Sequence, residues 1–214
     1  MRYQLVIFDL DGTILDTLGE LTIAFNHALS LSGLDPIDKN TMRSRVGNGA
    51  RMLVRRSIEG VENADEDKIL SDYRDYYNSH CTENTLPFPG IPELFALLKK
   101  NNVKIAVVSN QSDSACRKLC EDKFPGLIDV IKGHREDSKH KPDPQLINEV
   151  LDELDIDRKK AVIVGDSDVD VLTGINSGID NIVVTWGYKS KDVLIENGAK
   201  VLVDSCDELI EHLI

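Results

Sequence analysis

A doubly wound parallel α/β sheet carrying an inserted all-helical domain is the fold this 214-residue sequence predicts. Three observations predict it. Short β-branched runs alternate with helical patterns over most of the chain, which is the rhythm of repeated βαβ units. Two of those runs, 104–109 and 161–164, are apolar nearly throughout, as strands covered on both faces of a parallel sheet are. Residues 17–86 hold no convincing strand, although an ordinary crossover needs only about a dozen residues.

Taken in order, the first strand is 4–8, with the apolar run LVIF. Residues 18–31 follow with helical spacing, Leu18, Leu21, Phe25 and Leu29 falling on one face. Gly33 is the expected stop of that helix, with Pro36 just beyond. Segments 38–46, 50–58 and 65–81 also have helical spacing. These four helices predict a cap domain over residues 17–86. Its hinges fall near 15–18 and 87–89, where the sequence PFPG stiffens the return. Residues 1–16 and 87–214 then form the Rossmann-like core. In the core, strands are expected at 104–109, 128–132, 161–164, 181–185 and 200–203. Helices are expected at 92–100, 113–123, 144–154, 169–176, 189–196 and 207–213.

Composition narrows the function classes. The formal charge of −12 disfavours a nucleic-acid surface and leaves only local basic sites. No run is long and apolar enough to span a bilayer, and no signal peptide is read ahead of the first strand, so a cytoplasmic protein is expected. Cys81, Cys116, Cys120 and Cys206 have no zinc spacing and are expected as reduced thiols. The five histidines form no ligand pattern, and His140 is expected as an exposed loop residue. Nothing in the sequence sets the oligomeric state, and a monomer or homodimer is expected.

Four short motifs close, or closely follow, predicted core strands: Asp9-x-Asp11-Gly12-Thr13, Ser109-Asn110, Lys141-Pro142 and Gly165-Asp166-Ser167-x-x-Asp170. A parallel sheet brings such ends to one edge, where open α/β sheets carry their ligands. Paired carboxylates at the end of a buried strand repel and lose hydration, so a cation is expected between them. The set fits phosphoryl transfer. A carboxylate can attack phosphorus, and Mg²⁺ held by a few carboxylates offsets the approach of anion to anion. Asp9 and Asp166 are the expected metal ligands, joined by the backbone carbonyl of Asp11. Ser109, Asn110 and Lys141 supply the hydroxyl, amide and ammonium that suit phosphoryl oxygens. The Asp11 carboxyl can protonate the leaving alkoxide and then deprotonate water.

In that combination and order the motifs resemble the haloacid dehalogenase superfamily of aspartate-dependent phosphotransferases, and the resemblance covers essentially the whole chain. It implies Asp9 as nucleophile, Asp11 as acid/base, Mg²⁺ as cofactor and Asp170 as a further acidic residue near the metal. The insertion resembles that superfamily's small helical cap. Dehalogenating members lack the second aspartate, so Asp11 points to phosphate chemistry. VGNGARMLVRRSI, LPFPGIPELFALLKKNNVKIAVVSN, KPDPQLINEVLDEL and the TWGY tail are similar to the phosphoglycolate phosphatase group. A small phosphorylated metabolite, phosphoglycolate first, is the substrate this resemblance implies.

Candidate substrate contacts are Gly12, Thr13 and Asn110 in the core, with Arg45, Gly49 and Arg51 in the cap. An arginine can hold a carboxylate through two hydrogen bonds, and the Gly47-Asn48-Gly49 turn can bring backbone N–H groups to an anion. Each candidate has a bland counterpart. The arginines can be solvated helix faces paired with cap acids. Thr13 can merely cap its turn, Asp16 and Thr17 can start the first cap helix, and Trp186 and Tyr188 can be packing residues. Lys139 competes with Lys141 for the phosphate. Rival functions are a phosphomutase of the beta-phosphoglucomutase kind, a nucleotide or pyrophosphate phosphatase, and a receiver-like phosphoacceptor domain. Asp11, the late position of Asp166 and the helical insertion argue against the receiver.

Overall fold

A computed structural model describes residues 2–62 and 64–214. Met1, ahead of the expected first strand, and Asn63, inside the expected cap, lie outside the described residues. The chain opens with β1 (Leu5–Phe8) and a two-residue strand β2 (Leu15–Asp16). Four helices follow, α1 (Leu18–Leu31), α2 (Lys39–Arg45), α3 (Ala50–Ser57) and α4 (Glu66–His80). The short strand β3 (Leu86–Pro87) returns the chain to α5 (Ile91–Lys100), β4 (Lys104–Ser112), α6 (Asp113–Lys123) and β5 (Val130–His134). Then come α7 (Gln145–Leu154), a 3₁₀ turn at Arg158–Lys160, β6 (Ala161–Gly165) and α8 (Asp168–Ser177). The chain ends with β7 (Asp180–Val184), α9 (Lys191–Glu196), β8 (Leu202–Val203) and α10 (Cys206–Leu213).

Six strands form one parallel sheet in the order β5-β4-β1-β6-β7-β8. The apolar runs explain it. Val6 and Phe8, Ile105 and Val107, and Val162 and Val164 share one face with the buried residues of α5, α6 and α10. Leu5 and Ile7, Ala106 and Val108, and Ala161 and Ile163 face the other way against α7. Alternation therefore serves two cores, because successive strand residues point to opposite faces. Phe8 is level with Val107 on one side and Val164 on the other, so the C-terminal ends of β4, β1 and β6 meet at one edge.

The four helices between β2 and β3 bury one another's apolar stripes. Phe25 of α1 meets Tyr73 of α4 edge-on, with ring centroids 5.8 Å apart. Gly33, at φ +68°, follows the last turn of α1, as expected of a helix stop. The sequence reading missed the antiparallel pair β2–β3, which ties Leu15 to Pro87 and Asp16 to Leu86. Two residues carry no period, and their partners lie across the whole insertion. Buried Glu20 strengthens the tie by accepting from the backbone and side-chain nitrogens of Asn84.

β5, β4 and β8 differ most from expectation, β8 being only Leu202–Val203 of the expected 200–203. β5 starts two residues late, because Asp129 is engaged beforehand: its backbone N–H donates to Ile105 O and its carboxylate accepts from Ile105 N, Lys99 and Lys104. β4 runs on to Ser112 through a register shift after Val108. All four cysteines are free and buried. Among the described residues no helix is long and apolar enough to cross a membrane.

Candidate active site

Asp9 is the first residue past β1, and its N–H still donates to Val164 O at 2.9 Å. That bond sets the carboxylate beside the end of β6, where Asp166 stands. Gly12 makes the following turn possible. It adopts φ +86°, and a Cβ there would lie 2.5 Å from Asp166 Oδ2. Thr13 Oγ1 donates to Asp166 Oδ1 at 3.1 Å, and the Tyr188 amide donates to Asp166 Oδ2 at 2.7 Å. Thr13 thus orients a carboxylate instead of only closing its own turn. Asp170 sits in the first turn of α8, where its Oδ2 accepts from the Ser167 amide and hydroxyl in a capping box. Its Oδ1 is left for Lys141, whose Nζ reaches Asp170 Oδ1 and Asp9 Oδ1, both at 2.7 Å.

Asp9, Asp166 and Asp170 each offer an oxygen within 4.8 Å of the others. Asp170 is therefore a member of the acidic cluster. Burial, followed by the neighbouring Asp170 charge, pushes Asp166 up to about 7. Burial also pushes Asp9 well above the usual carboxylate range, against the pull of Lys141. For Lys141 burial acts the other way, yet Asp170 and Asp9 outweigh it and hold the ammonium above an ordinary lysine. One ammonium facing three buried carboxylates leaves excess negative charge, so the donor set fits a hard divalent cation such as Mg²⁺.

The Asp11 carboxylate stays outside that cluster. It accepts from Thr17 Oγ1 at 2.6 Å, and burial, the largest influence on it, raises its pKa. Thr17 is the residue before α1 but makes no side-chain helix cap, because its hydroxyl is engaged with Asp11 and with Tyr188 Oη at 3.2 Å. The Tyr188 phenol also accepts the Thr17 amide. Thr17 and Tyr188 are site residues that sequence reasoning assigned to helix initiation and packing. The available signal for Tyr188 was its place just after a predicted core strand, at the same sheet edge as the motifs.

A cavity of about 50 Å³ lies over these groups, room for a few waters at ~10–15 Å³ each. The core lines it with Asp9, Asp11, Ser109, Asn110, Lys141 and Asp166. Leu21, Val46, Gly47, Gly49, Ala50, Leu53 and Tyr73 close it from the helical side. Gln111, Tyr188 and Lys189 are further lining residues that the sequence reading did not select. Asn110 joins the two sides: its Nδ2 donates to Gly47 O and Lys141 O, and its Oδ1 accepts the Lys141 amide. Asn110 is thereby engaged with protein groups, in addition to facing the cavity as expected. Ser109 is buried, with its Oγ accepting the Gln111 amide.

The cap residues divide. Gly49, at φ +82°, lines the cavity, and a Cβ there would lie 2.6 Å from His140 Nε2. His140 is exposed as expected, but its ring stacks on His134 at 3.6 Å. Arg51 was expected as a substrate contact. It points to the first turn of α4, pairing with Glu66 at 2.7 Å and Asp67 at 2.8 Å, and does not line the cavity. Those acids sit at a helix N-terminus, where carboxylates are favoured, and they capture the nearest arginine. Arg45 is likewise absent from the lining; its Nη1 is buried and has no hydrogen-bond partner among the described residues. Lys139 is exposed and pairs with Asp143, which leaves the buried Lys141 as the lysine of the cluster.

Residues 6–184 match the haloacid dehalogenase-like hydrolase family. The chain is 30% identical to a phosphoglycolate phosphatase of Aquifex aeolicus over 86% of each chain. It is 31% identical to an N-acetylmuramic acid 6-phosphate phosphatase of Pseudomonas aeruginosa, over 100% of this chain and 96% of that one. A crystal structure from Lactobacillus delbrueckii subsp. bulgaricus, provisionally assigned as a phosphoglycolate phosphatase, superposes with a TM-score of 0.95 at 34% identity. That match covers 100% of this chain and 99% of the other.

Proposed function

This chain belongs to the haloacid dehalogenase-like hydrolase family and is a phosphatase, and on that premise we propose that it hydrolyses a small phosphomonoester, phosphoglycolate foremost, through an aspartyl phosphate on Asp9. The observation that carries the proposal is the division of labour between two neighbouring aspartates. Asp9 lies in the buried cluster against Lys141, whereas Asp11 is held apart by Thr17. A nucleophile and a proton carrier need those two different settings.

Asp9 and Asp166 would hold Mg²⁺ with the Asp11 backbone carbonyl, Asp170 lying beside them. When bound, the ion neutralises charge on the phosphoryl oxygens. An Asp9 oxygen attacks phosphorus, the ester P–O bond breaks, and Asp11 gives its proton to the departing alkoxide. Asp11 then takes a proton from water. The water oxygen attacks phosphorus, the bond to Asp9 breaks, and phosphate leaves with the Asp9 carboxylate restored. Lys141 keeps Asp9 in place and, with Ser109, faces the transferring oxygens. Residues 17–86 act as a cap that excludes bulk water over a core of 1–16 and 87–214.

The relatives' names describe phosphoesters that also bear a carboxylate. The compact cavity, closed by Leu21, Ala50 and Leu53, favours the smaller of the two. The test is phosphate release from a panel of phosphoesters with and without Mg²⁺, using Asp9→Asn as control. Activity surviving Asp9→Asn at the wild-type rate overturns the mechanism. Conversion of glucose 1-phosphate to glucose 6-phosphate without phosphate release reassigns the protein as a mutase.

A further inference from the structure

Two lysines line the cavity among the described residues, Lys141 and Lys189. Lys141 is paired with Asp9 and Asp170. Lys189 is not. It lies between β7 and α9, half-buried, and makes no ion pair among the described residues. Its Nζ faces the Val46 carbonyl at 3.5 Å, beyond the usual range of a good N–H···O bond. Elsewhere in this acidic chain Lys68, Lys99, Lys104, Lys132 and Lys191 all find carboxylates. A half-buried lysine without one, on a cavity wall, is the exception.

We propose that Lys189 determines specificity by pairing with a carboxylate on the leaving-group side of the substrate, an inference that rests on the phosphomonoester reading above. The phosphoryl group must sit at Asp9, on the core floor. Val46, which Lys189 faces, belongs to the segment between α2 and α3 that closes the cavity from above, so Lys189 stands where the leaving group extends. Charge decides the point. A carboxylated ester brings a third negative charge into a cavity already lined by Asp9, Asp11 and Asp166. Of the two lysines that line the cavity, Lys189 is the one left to offset it. The surrounding Leu21, Val46, Ala50 and Leu53 are apolar, which limits screening of such a pair. Exposed Arg43 of α2 lies over the ring of Tyr188, a lining residue, at 6.0 Å.

The experiment compares kcat/KM for 2-phosphoglycolate with that for 2-hydroxyethyl phosphate, a neutral-tailed ester of similar length. The wild type is expected to prefer the acid. Lys189→Met should cut that preference by about tenfold or more, the scale of a lost hydrogen bond to a charged group, chiefly through KM. Lys189→Arg should restore much of it. An equal loss on both substrates, or none on either, overturns the proposal. If the wild type hydrolyses neither compound, phosphoglycolate is excluded as substrate. The same ratio, taken on a carboxylated and a neutral ester that it does hydrolyse, then decides the role of Lys189: a preference that the Met variant leaves intact, or no preference, overturns it. Should Lys189→Met fail to fold, the wild-type preference is followed against ionic strength. A preference that falls with salt supports the ion pair, and a salt-independent one overturns it.

Discussion

Lys141→Met removes the one ammonium inside the acidic cluster and leaves its packing volume nearly filled. The side chain is 3% exposed, and its Nζ holds two carboxylates at 2.7 Å. Truncating one partner of a buried ion pair typically costs about 3–5 kcal/mol, because the other charge is left uncompensated. For a protein of this size that corresponds to a fall in Tm of roughly 6–20 °C. The metal-free variant should show it fully at pH 8. At lower pH the cost should shrink, and the sign follows from Asp9. Its folded pKa already lies well above the usual carboxylate range, driven first by burial, and losing Lys141 raises it further. A group raised on folding takes up a proton as the chain folds. Its favourable contribution is complete below the unfolded pKa and is lost as pH rises through the folded one. Urea denaturation in EDTA at pH 5.5 and pH 8 measures both quantities. A destabilisation under about 1 kcal/mol at pH 8, or one equal at the two pH values, refutes the view of Lys141 as the counter-charge of the cluster.

Asp11→Asn should lower kcat by about 10²–10⁴ for alkyl phosphates. Asparagine keeps the shape of the side chain but carries no proton for the alkoxide, so p-nitrophenyl phosphate should lose less in its first, bond-breaking step; equal losses in single-turnover rates would remove Asp11 from the acid role. Asp129→Asn tests the fold instead of the site. Burial raises the Asp129 pKa, but the Ile105 amide with Lys104 and Lys99 outweighs it, and the net shift is downward. Its contribution is therefore present above the unfolded carboxylate pKa and lost as pH falls through the lower folded value. The wild-type advantage in a urea midpoint, about 1 kcal/mol for such a partly exposed pair, should be full at pH 7 and vanish near pH 2.

The strands and the site were legible to different depths. β1, β4 and β6 could be read because buried parallel strands are continuous apolar runs; Asp9 and Asp166 followed from standing just past β1 and β6, and Ser109 from closing the apolar run of β4. The strand pair β2–β3 could not, since its four residues have no pattern until the chain has folded. Thr17 shows the same limit at the level of one side chain. In sequence it is a hydroxyl before a helix, the position of an N-terminal cap; in space that hydroxyl turns to Asp11. Arg51 and Lys189 mark the opposite case. A glycine turn beside Arg51 suggested an anion site, but Glu66 and Asp67 are nearer, while Lys189 had no motif and ends on the cavity wall.

By itself, then, the sequence determined the architecture and the chemical inventory: a parallel sheet with a helical insertion, and four strand-end motifs whose carboxylates, hydroxyl, amide and lysine suit phosphoryl transfer. These depend on local periodicity and on the register of a few apolar strands. Tertiary structure alone decided which acids share a cation site, which one stands apart on Thr17, and which positive charges remain available to a substrate. The physical reason is that an ion pair is settled by competition among all partners within a few ångströms. Those partners, and the hydrogen-bonding groups that compete with them, come from α4, the loop after β7 and the cap turn, segments far apart in the chain that only the folded molecule brings together.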